Sequence, residues 1–320
     1  MSPGPSTLLR VDDLVVEFAL GNGQRVHAVS GVNLALAMGE ALGLVGESGS
    51  GKSSLARAIM QLPRPTSGHV TFEGLDLTAL DRGSLRRLRH RFQMIFQNPA
   101  SSLNPLRSVG KSIEAPLAGR AREDRERLAR DMMLAVGLDP GQHYERRPFQ
   151  LSAGQCQRAS IARSLMTRPR LLVCDEPVSS LDVSIQAQVI NLLREVQRAR
   201  GLALLFISHD LAVVRHLCDR VAVMYLGRLC EVASVDALFG APRHPYTWAL
   251  LRAMARPDPG RPIAAPGMLP GESPSALHPP SGCRFRTRCP RAQSECSTTQ
   301  PPMREIAPGH RLACHFPLPQ

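Results

Sequence analysis

Gly46-Glu47-Ser48-Gly49-Ser50-Gly51-Lys52-Ser53 fills every fixed position of the G-x-x-x-x-G-K-[ST] phosphate loop. It stands where that motif works, after the apolar run Ala41-Leu42-Gly43-Leu44-Val45 and before a helical run from Ser54 to Leu62. Glycines let the loop turn its backbone N–H groups inward on a phosphate chain. The N-terminus of the following helix adds a fixed partial positive charge. Lys52 is suited to the β- and γ-phosphates and the Ser53 hydroxyl to Mg²⁺, with Ser54 as a further nucleotide-binding residue. The spacing predicts a strand–loop–helix unit that holds a nucleoside triphosphate.

Outward from the loop, the chain alternates between strand and helix. Leu14 to Phe18 and Val32 to Leu36 read as short strands around a Gly21-Asn22-Gly23 turn. Gly68 to Phe72 and Phe92 to Phe96 read as two more. Residues 106–150 change character: Arg120 to Arg130 is highly charged, and Asp131 to Leu138 has helical spacing with a glycine stop. This is an inserted helical subdomain, about residues 99–168. Leu171 to Cys174 and Ala203 to Ile207 are continuous apolar runs, as strands buried on both faces require. Helices are expected over Ile185 to Arg200 and Leu211 to Leu217. The alternation predicts an α/β fold with a largely parallel sheet.

At 320 residues and 43% apolar, the chain can bury a core, with aliphatic residues filling it because aromatics make up only 4%. No apolar run approaches the roughly 20 residues that span a bilayer. Met1-Ser2-Pro3-Gly4-Pro5 has no charged or apolar leader pattern. A cytosolic protein that does not itself cross a membrane is expected. The net charge of +12 comes almost wholly from arginine, Lys52 and Lys111 being the only lysines. That balance suits an anionic partner: a nucleotide, a nucleic acid or a membrane face.

A phosphate loop alone does not define an activity. Leu171 to Cys174 runs into Asp175-Glu176, two carboxylates at a strand end. Asp175 is suited to Mg²⁺ and Glu176 to taking a proton from an attacking water. Gln97 follows another strand and can reach the metal or that water. His209, within Ile207-Ser208-His209-Asp210, falls on the ligand-binding edge of an α/β sheet, suited to the γ-phosphate.

Leu151-Ser152-Ala153-Gly154-Gln155 decides the family. Here the chain resembles the ATPase subunits of ABC transporters, whose signature is L-S-G-G-Q. Its physical sense is a second anion site at a helix N-terminus. The resemblance implies that Ser152, Gly154 and Gln155 cap an ATP held by another subunit, so that nucleotide joins two chains. Ala153 departs from the usual glycine. If the backbone there needs a positive φ, its Cβ costs about 1 kcal/mol. Ser180-Leu181-Asp182 resembles the loop that touches the opposite site, and Phe18 lies where the family stacks an aromatic on adenine.

The stretches Phe96 to Pro105, Cys174 to Gln188 and His244-Pro245-Tyr246-Thr247 look like the ATPases of dipeptide and oligopeptide importers. Leu85-Arg86-Arg87-Leu88-Arg89 favours the second of their two ATPase types. The fold implied is the P-loop ABC-type ATPase core, a parallel sheet plus N-terminal antiparallel strands, with the helical subdomain and a small Cys-rich module. It would occupy residues 8–255, followed by a Pro-rich linker at 256–280 and the tail at 281–320. The resemblance implies ATP and Mg²⁺ as cofactors, with Ser53, Gln97 and Asp175 on the metal. Lys52, Gln97, Glu176 and His209 would carry catalysis. Implied partners are a second ABC ATPase subunit in a heterodimer, two transmembrane permease subunits and, through them, an extracytoplasmic peptide-binding protein. No nucleic acid is expected. The chain would sit peripherally on the cytoplasmic side of the inner membrane.

The tail carries Cys283, Cys289, Cys296 and Cys314, with Arg284, Arg286, Arg288 and Arg291 among them. A segment this small needs a staple. In a reducing compartment a metal is expected over disulfides, although no C-x₂₋₄-C pair is present. The resemblance implies a [4Fe–4S] cluster, with zinc as runner-up and unliganded thiols as the remaining reading. A soluble ABC-type ATPase acting on nucleic acid is the rival function. Against it stand the single nucleotide domain, the absence of a long coiled coil and the importer-like glutamine loop.

Overall fold

The computed structural model describes residues 7–21, 23–98, 102–179, 181–254 and 271–319 of the chain. Pro99, Ala100 and Ser101 of the glutamine loop, Ser180, and residues 255–270 of the linker region lie outside the described residues.

In chain order the strands are β1 Thr7–Ala19, β2 Arg25–Ala37, β3 Ala41–Val45, β4 Ser67–Phe72, β5 Leu75–Asp76 and β6 Phe92–Ile95. Then come β7 Leu171–Asp175, β8 Ala203–Ile207, β9 Arg220–Tyr225, β10 Arg228–Ser234, β11 Arg304–Ala307 and β12 His310–Leu312. The chain forms two compact units.

The first unit comprises Met1–Leu8, Leu36–Ala41 and Ala79–Ile207. Its β6, β7 and β8 pair in parallel, with Phe92 opposite Leu171 and Leu171 opposite Ala203. Every residue of β7 and β8 is buried, which is why both read as unbroken apolar runs. Each large apolar side chain so buried contributes about 1.5–3 kcal/mol. The expected helical segment is present as Val109–Glu114, Arg122–Ala135 and Pro140–His143, followed by Ala153–Leu165. Gly137, at φ +72°, terminates the longest of the first three. The parallel register aligns the C-terminal ends of these strands, so Gln97, Asp175 and Glu176 emerge along one edge.

The second unit comprises Leu9–Ala35, Leu42–Thr78 and Ser208–Gln320. Here β3 pairs in parallel with β9, Leu42 opposite Arg220. The hairpin β9–β10 turns at Leu226 and Gly227, both with positive φ. Beyond it β10 pairs with β12 and β12 with β11, all antiparallel. The tail therefore extends the sheet that contains the strand feeding the phosphate loop. A separate sheet in the order β2-β1-β4-β5 supplies the N-terminal antiparallel layer. No helix among the described residues is long and apolar enough to cross a membrane.

Candidate active site

In the second unit, the loop between β3 and the helix Lys52–Ile59 has the expected form. Gly46 and Gly51 take φ values of +154° and +102°. A Cβ at Gly46 would strike the Met224 carbonyl, and one at Gly51 the Ala28 carbonyl, so neither position tolerates a side chain. Gly51 caps the helix without a side-chain bond. The helix begins at Lys52, two residues before the expected start. Lys52 is buried, and its Nζ donates to the Gly46 and Glu47 carbonyls at 2.9 Å each and to Ser50 Oγ at 3.4 Å. Ser53 and Ser54 follow on the first turn, half-buried. Ser208 N–H donates to the Leu44 carbonyl at 3.3 Å, which sets exposed His209 beside the strand that enters the loop. Asp210 caps the next helix through Ala212 and Val213. Phe18 lies near the end of β1, 39% exposed, an apolar ring open to a stacking partner.

In the first unit, Asp175 ends β7 fully buried. Glu176 takes φ +48°, held by its N–H on the Ile207 carbonyl at 3.1 Å. Gln97 Nε2 donates to Glu176 Oε2 at 3.0 Å, which brings Gln97 and the expected base into contact. Ser152 is the N-cap of the helix Ala153–Leu165 and exchanges bonds with Gln155 in a capping box. His143 accepts a bond from Gln155 Nε2 at 3.1 Å while its Nδ1 donates to the Asp139 carbonyl. Asp182 caps Val183–Arg200 by accepting from Ile185 N–H at 3.0 Å and from Ser184. That backbone bond, with the Ser184 bond, keeps its carboxyl below the usual range.

Two residues that the sequence reading named but did not place in the nucleotide site matter here. Ile185 packs against Gly154 so closely that a Cβ on the glycine would lie 2.7 Å from Ile185 Cγ2. Arg288, from the tail, pairs with Glu47 at 2.7 Å. Only tertiary contact reveals either. The conditional cost at Ala153 does not arise, because it is the first residue of an α-helix and its φ is not positive.

The four tail cysteines are free thiols near one another. Cys283 N–H donates to the Cys296 carbonyl at 2.8 Å. Burial, reinforced by Cys283, Cys289 and Cys296, pushes the Cys314 thiol up to about 12. Burial also raises Cys283 and Cys289. Yet among the described residues no three His, Cys, Asp or Glu side chains gather into a metal-holding set. The expected four-thiolate site is thus not assembled in this conformation.

With this geometry in place, comparison with known proteins is direct. The ABC transporter family model matches residues 29–179, and that of the oligopeptide/dipeptide transporter C-terminal region matches residues 230–296. The oligopeptide transport ATP-binding protein OppF of Escherichia coli (strain K12) is 47% identical over 98% of this chain and 97% of its own. The chain belongs to the ABC transporter ATP-binding family. The putative oligopeptide transport ATP-binding protein YkfD of Bacillus subtilis (strain 168) is 45% identical over 97% of this chain and 95% of its own. Among solved structures, the ATP-binding cassette MJ0796, a dimer bound to ADP and Pi, superposes with TM-score 0.67 at 26% identity. It covers 71% of this chain and 99% of its own. CbiO1 of Clostridium perfringens, part of a cbiONQ ABC transporter complex, gives 0.65 at 27%, covering 74% and 92%. The chain has the ABC ATPase fold, and hydrolysis of ATP is its family's chemistry.

Proposed function

We propose that this ABC ATPase is the energy-coupling subunit of an importer for di- or oligopeptides. The observation that carries the reading is the coexistence, in one chain, of the cassette match and the oligopeptide/dipeptide C-terminal match. The nucleic-acid alternative is not favoured, because it gives no reason for that C-terminal region.

In this reading ATP lies on residues 46–53, with Phe18 on its base. Ser53, Gln97 and Asp175 hold Mg²⁺, which neutralises phosphate charge. Water attacks the γ-phosphorus, the bond to the β,γ-bridging oxygen breaks with its electrons leaving on ADP, and Glu176 takes the water's proton. Gln97, bonded to Glu176 Oε2, keeps that carboxylate oriented until water and metal arrive. His209 and Lys52 stabilise the γ-phosphate. Ser152, Gly154, Gln155 and Asp182 serve the ATP of a second ATPase subunit, in a heterodimer bearing on two permease subunits. An extracytoplasmic peptide-binding protein acts through those permeases, and the chain is peripheral on the cytoplasmic membrane face.

A [4Fe–4S] cluster, with zinc as second choice, would need Cys283, Cys289, Cys296 and Cys314 to draw closer together than they stand in this structure. Support comes from four free cysteines in the tail, three of which, Cys283, Cys289 and Cys296, lie within the matched oligopeptide/dipeptide C-terminal region. Anaerobic purification followed by iron, sulfide and zinc analysis tests this assignment. Affinity purification from native membranes tests the function: co-purifying permease proteins support it, and tightly bound DNA or RNA in their place overturns it.

A further inference from the structure

The second residue of the phosphate loop is an acid, and the C-terminal tail holds it. Glu47 Oε2 accepts a bond from Arg288 Nη1 at 2.7 Å and another from the Ser273 hydroxyl. The Glu47 N–H donates to the Tyr246 hydroxyl at 2.8 Å. Arg288 is only 8% exposed, and its Nη1 also donates to Ser273 Oγ at 3.0 Å and Tyr225 Oη at 3.5 Å. Its guanidinium lies over the Tyr225 ring. Tyr225, Tyr246 and Phe285 pack against one another with centroids 4.7–5.3 Å apart, which fixes the platform on which Arg288 rests. Four residues earlier in the tail, Arg284 grips the Leu226 carbonyl and donates to Ser30 Oγ at 2.9 Å.

An acid in a loop that must hold a polyanion works against binding. Its carboxylate repels the phosphates and competes for Lys52, whose ammonium already rests on the Glu47 carbonyl. Burial alone would raise the Glu47 carboxyl. The bonds from Arg288 and Ser273, then the charges of Arg288 and Lys52, bring it below the ordinary range, so it stays ionised. An ionised acid at this position needs a permanent cation beside it, and a guanidinium is one.

We propose that Arg288 is a positioning residue for nucleotide binding: it cancels the charge of Glu47 and fixes the first turn of the phosphate loop. The loop then presents its full positive field to a triphosphate only when the tail is docked. The proposal rests on the reading of residues 46–53 as the ATP site.

The test uses the full chain, with Mg-ATP titrated calorimetrically and steady-state hydrolysis measured in parallel. Arg288→Ala is expected to weaken Mg-ATP binding about tenfold, with a larger effect on KM than on kcat. The deficit shrinks as salt rises, because it is a charge effect. Adding Glu47→Gln to Arg288→Ala restores affinity to within about twofold of the parent, since no stray charge remains. Arg288→Lys, which keeps the charge, retains most of the affinity even if the platform loosens. If Arg288→Ala binds like the parent, or if the double variant is folded yet as weak as the single one, Arg288 does not act through charge and the proposal fails. If the unaltered chain itself binds no ATP, the nucleotide reading falls first.

Discussion

At the scale of single residues, Glu176 holds a strained backbone conformation. Its φ of +48° belongs to a region that residues with a Cβ rarely occupy, and such strain persists where surroundings over-determine it. The Ile207 carbonyl pins its N–H and Gln97 pins its carboxylate. Glu176→Gln preserves shape and removes basicity, so hydrolysis is expected to fall by at least about 10²-fold while ATP affinity is kept. Phosphate release and equilibrium binding, measured side by side, check this. Turnover at the parent rate would remove Glu176 as the base. His244 gives a second residue-level expectation. It is 2% exposed and accepts the Tyr246 N–H on Nδ1 at 3.0 Å. Burial lowers its pKa to about 4, against the smaller raising effects of Glu231 and a backbone bond to Ala313. Below about pH 6.5 the unfolded chain therefore binds a proton that the folded chain refuses. This contribution is complete above that pH and drains away as pH falls toward 4, by at most about 3 kcal/mol. Urea unfolding between pH 7 and 5 should show a steeper loss in the parent than in His244→Asn. Parallel profiles would count against it.

Secondary-structure elements separate what was legible from what was not. The strands β3, β7 and β8 were readable almost to the residue, because burial on both faces leaves no polar position to blur their ends. The hairpin β9–β10 was not foreseen. Its turn places Leu226 at φ +43°, and leucine carries no turn signal, so Gly227 was the one local cue that the apolar run reverses. The tail strands are short and partly polar, and pairing with β10 makes them strands rather than local propensity. The site divides along the same line. The placement of Lys52 after the phosphate loop and of Asp175, Glu176 and Gln97 at strand ends was legible because each strand was recognisable. Ile185 and Arg288 were not, because their partners lie far away in sequence. The signature helix shows the consequence. Gly154→Ala would normally favour a helix by about 1 kcal/mol. Here the added methyl meets Ile185 at 2.7 Å, and overpacking of this kind costs about 1–3 kcal/mol. The substitution should be neutral to destabilising by urea melting, and in an Ile185→Ala background, which removes the clashing Cγ2, Gly154→Ala should no longer destabilise. A clear stabilisation by Gly154→Ala alone would contradict the packing described.

At the scale of the whole chain, the tail behaves as part of the second unit and not as an appendage. Glu231 on β10 is fully buried and accepts from Arg243 N–H at 2.8 Å, His244 N–H at 3.0 Å and His310 Nε2 at 2.8 Å, the last supplied by the tail. Leu312 pairs opposite Glu231 and is itself fully buried. Phe285 fills the space against Tyr225 and Tyr246. Removing residues 281–320 would leave a buried carboxylate short of a partner, a paired strand turned into an open edge, and two tyrosines without their packing. Losing a buried phenylalanine alone costs about 3–5 kcal/mol, comparable with the whole stability of a marginal domain. The truncated chain is therefore expected to lose cooperative unfolding in the second unit. Amide exchange in β9 and β10 should become fast, while β7 and β8, which lie in the first unit, keep more of their protection. Phe285→Ala in the full chain should move in the same direction by a smaller amount. Slow exchange in β9 and β10 after truncation would mean that the tail only rests on this unit, and the bracket on the phosphate loop would then have no structural footing.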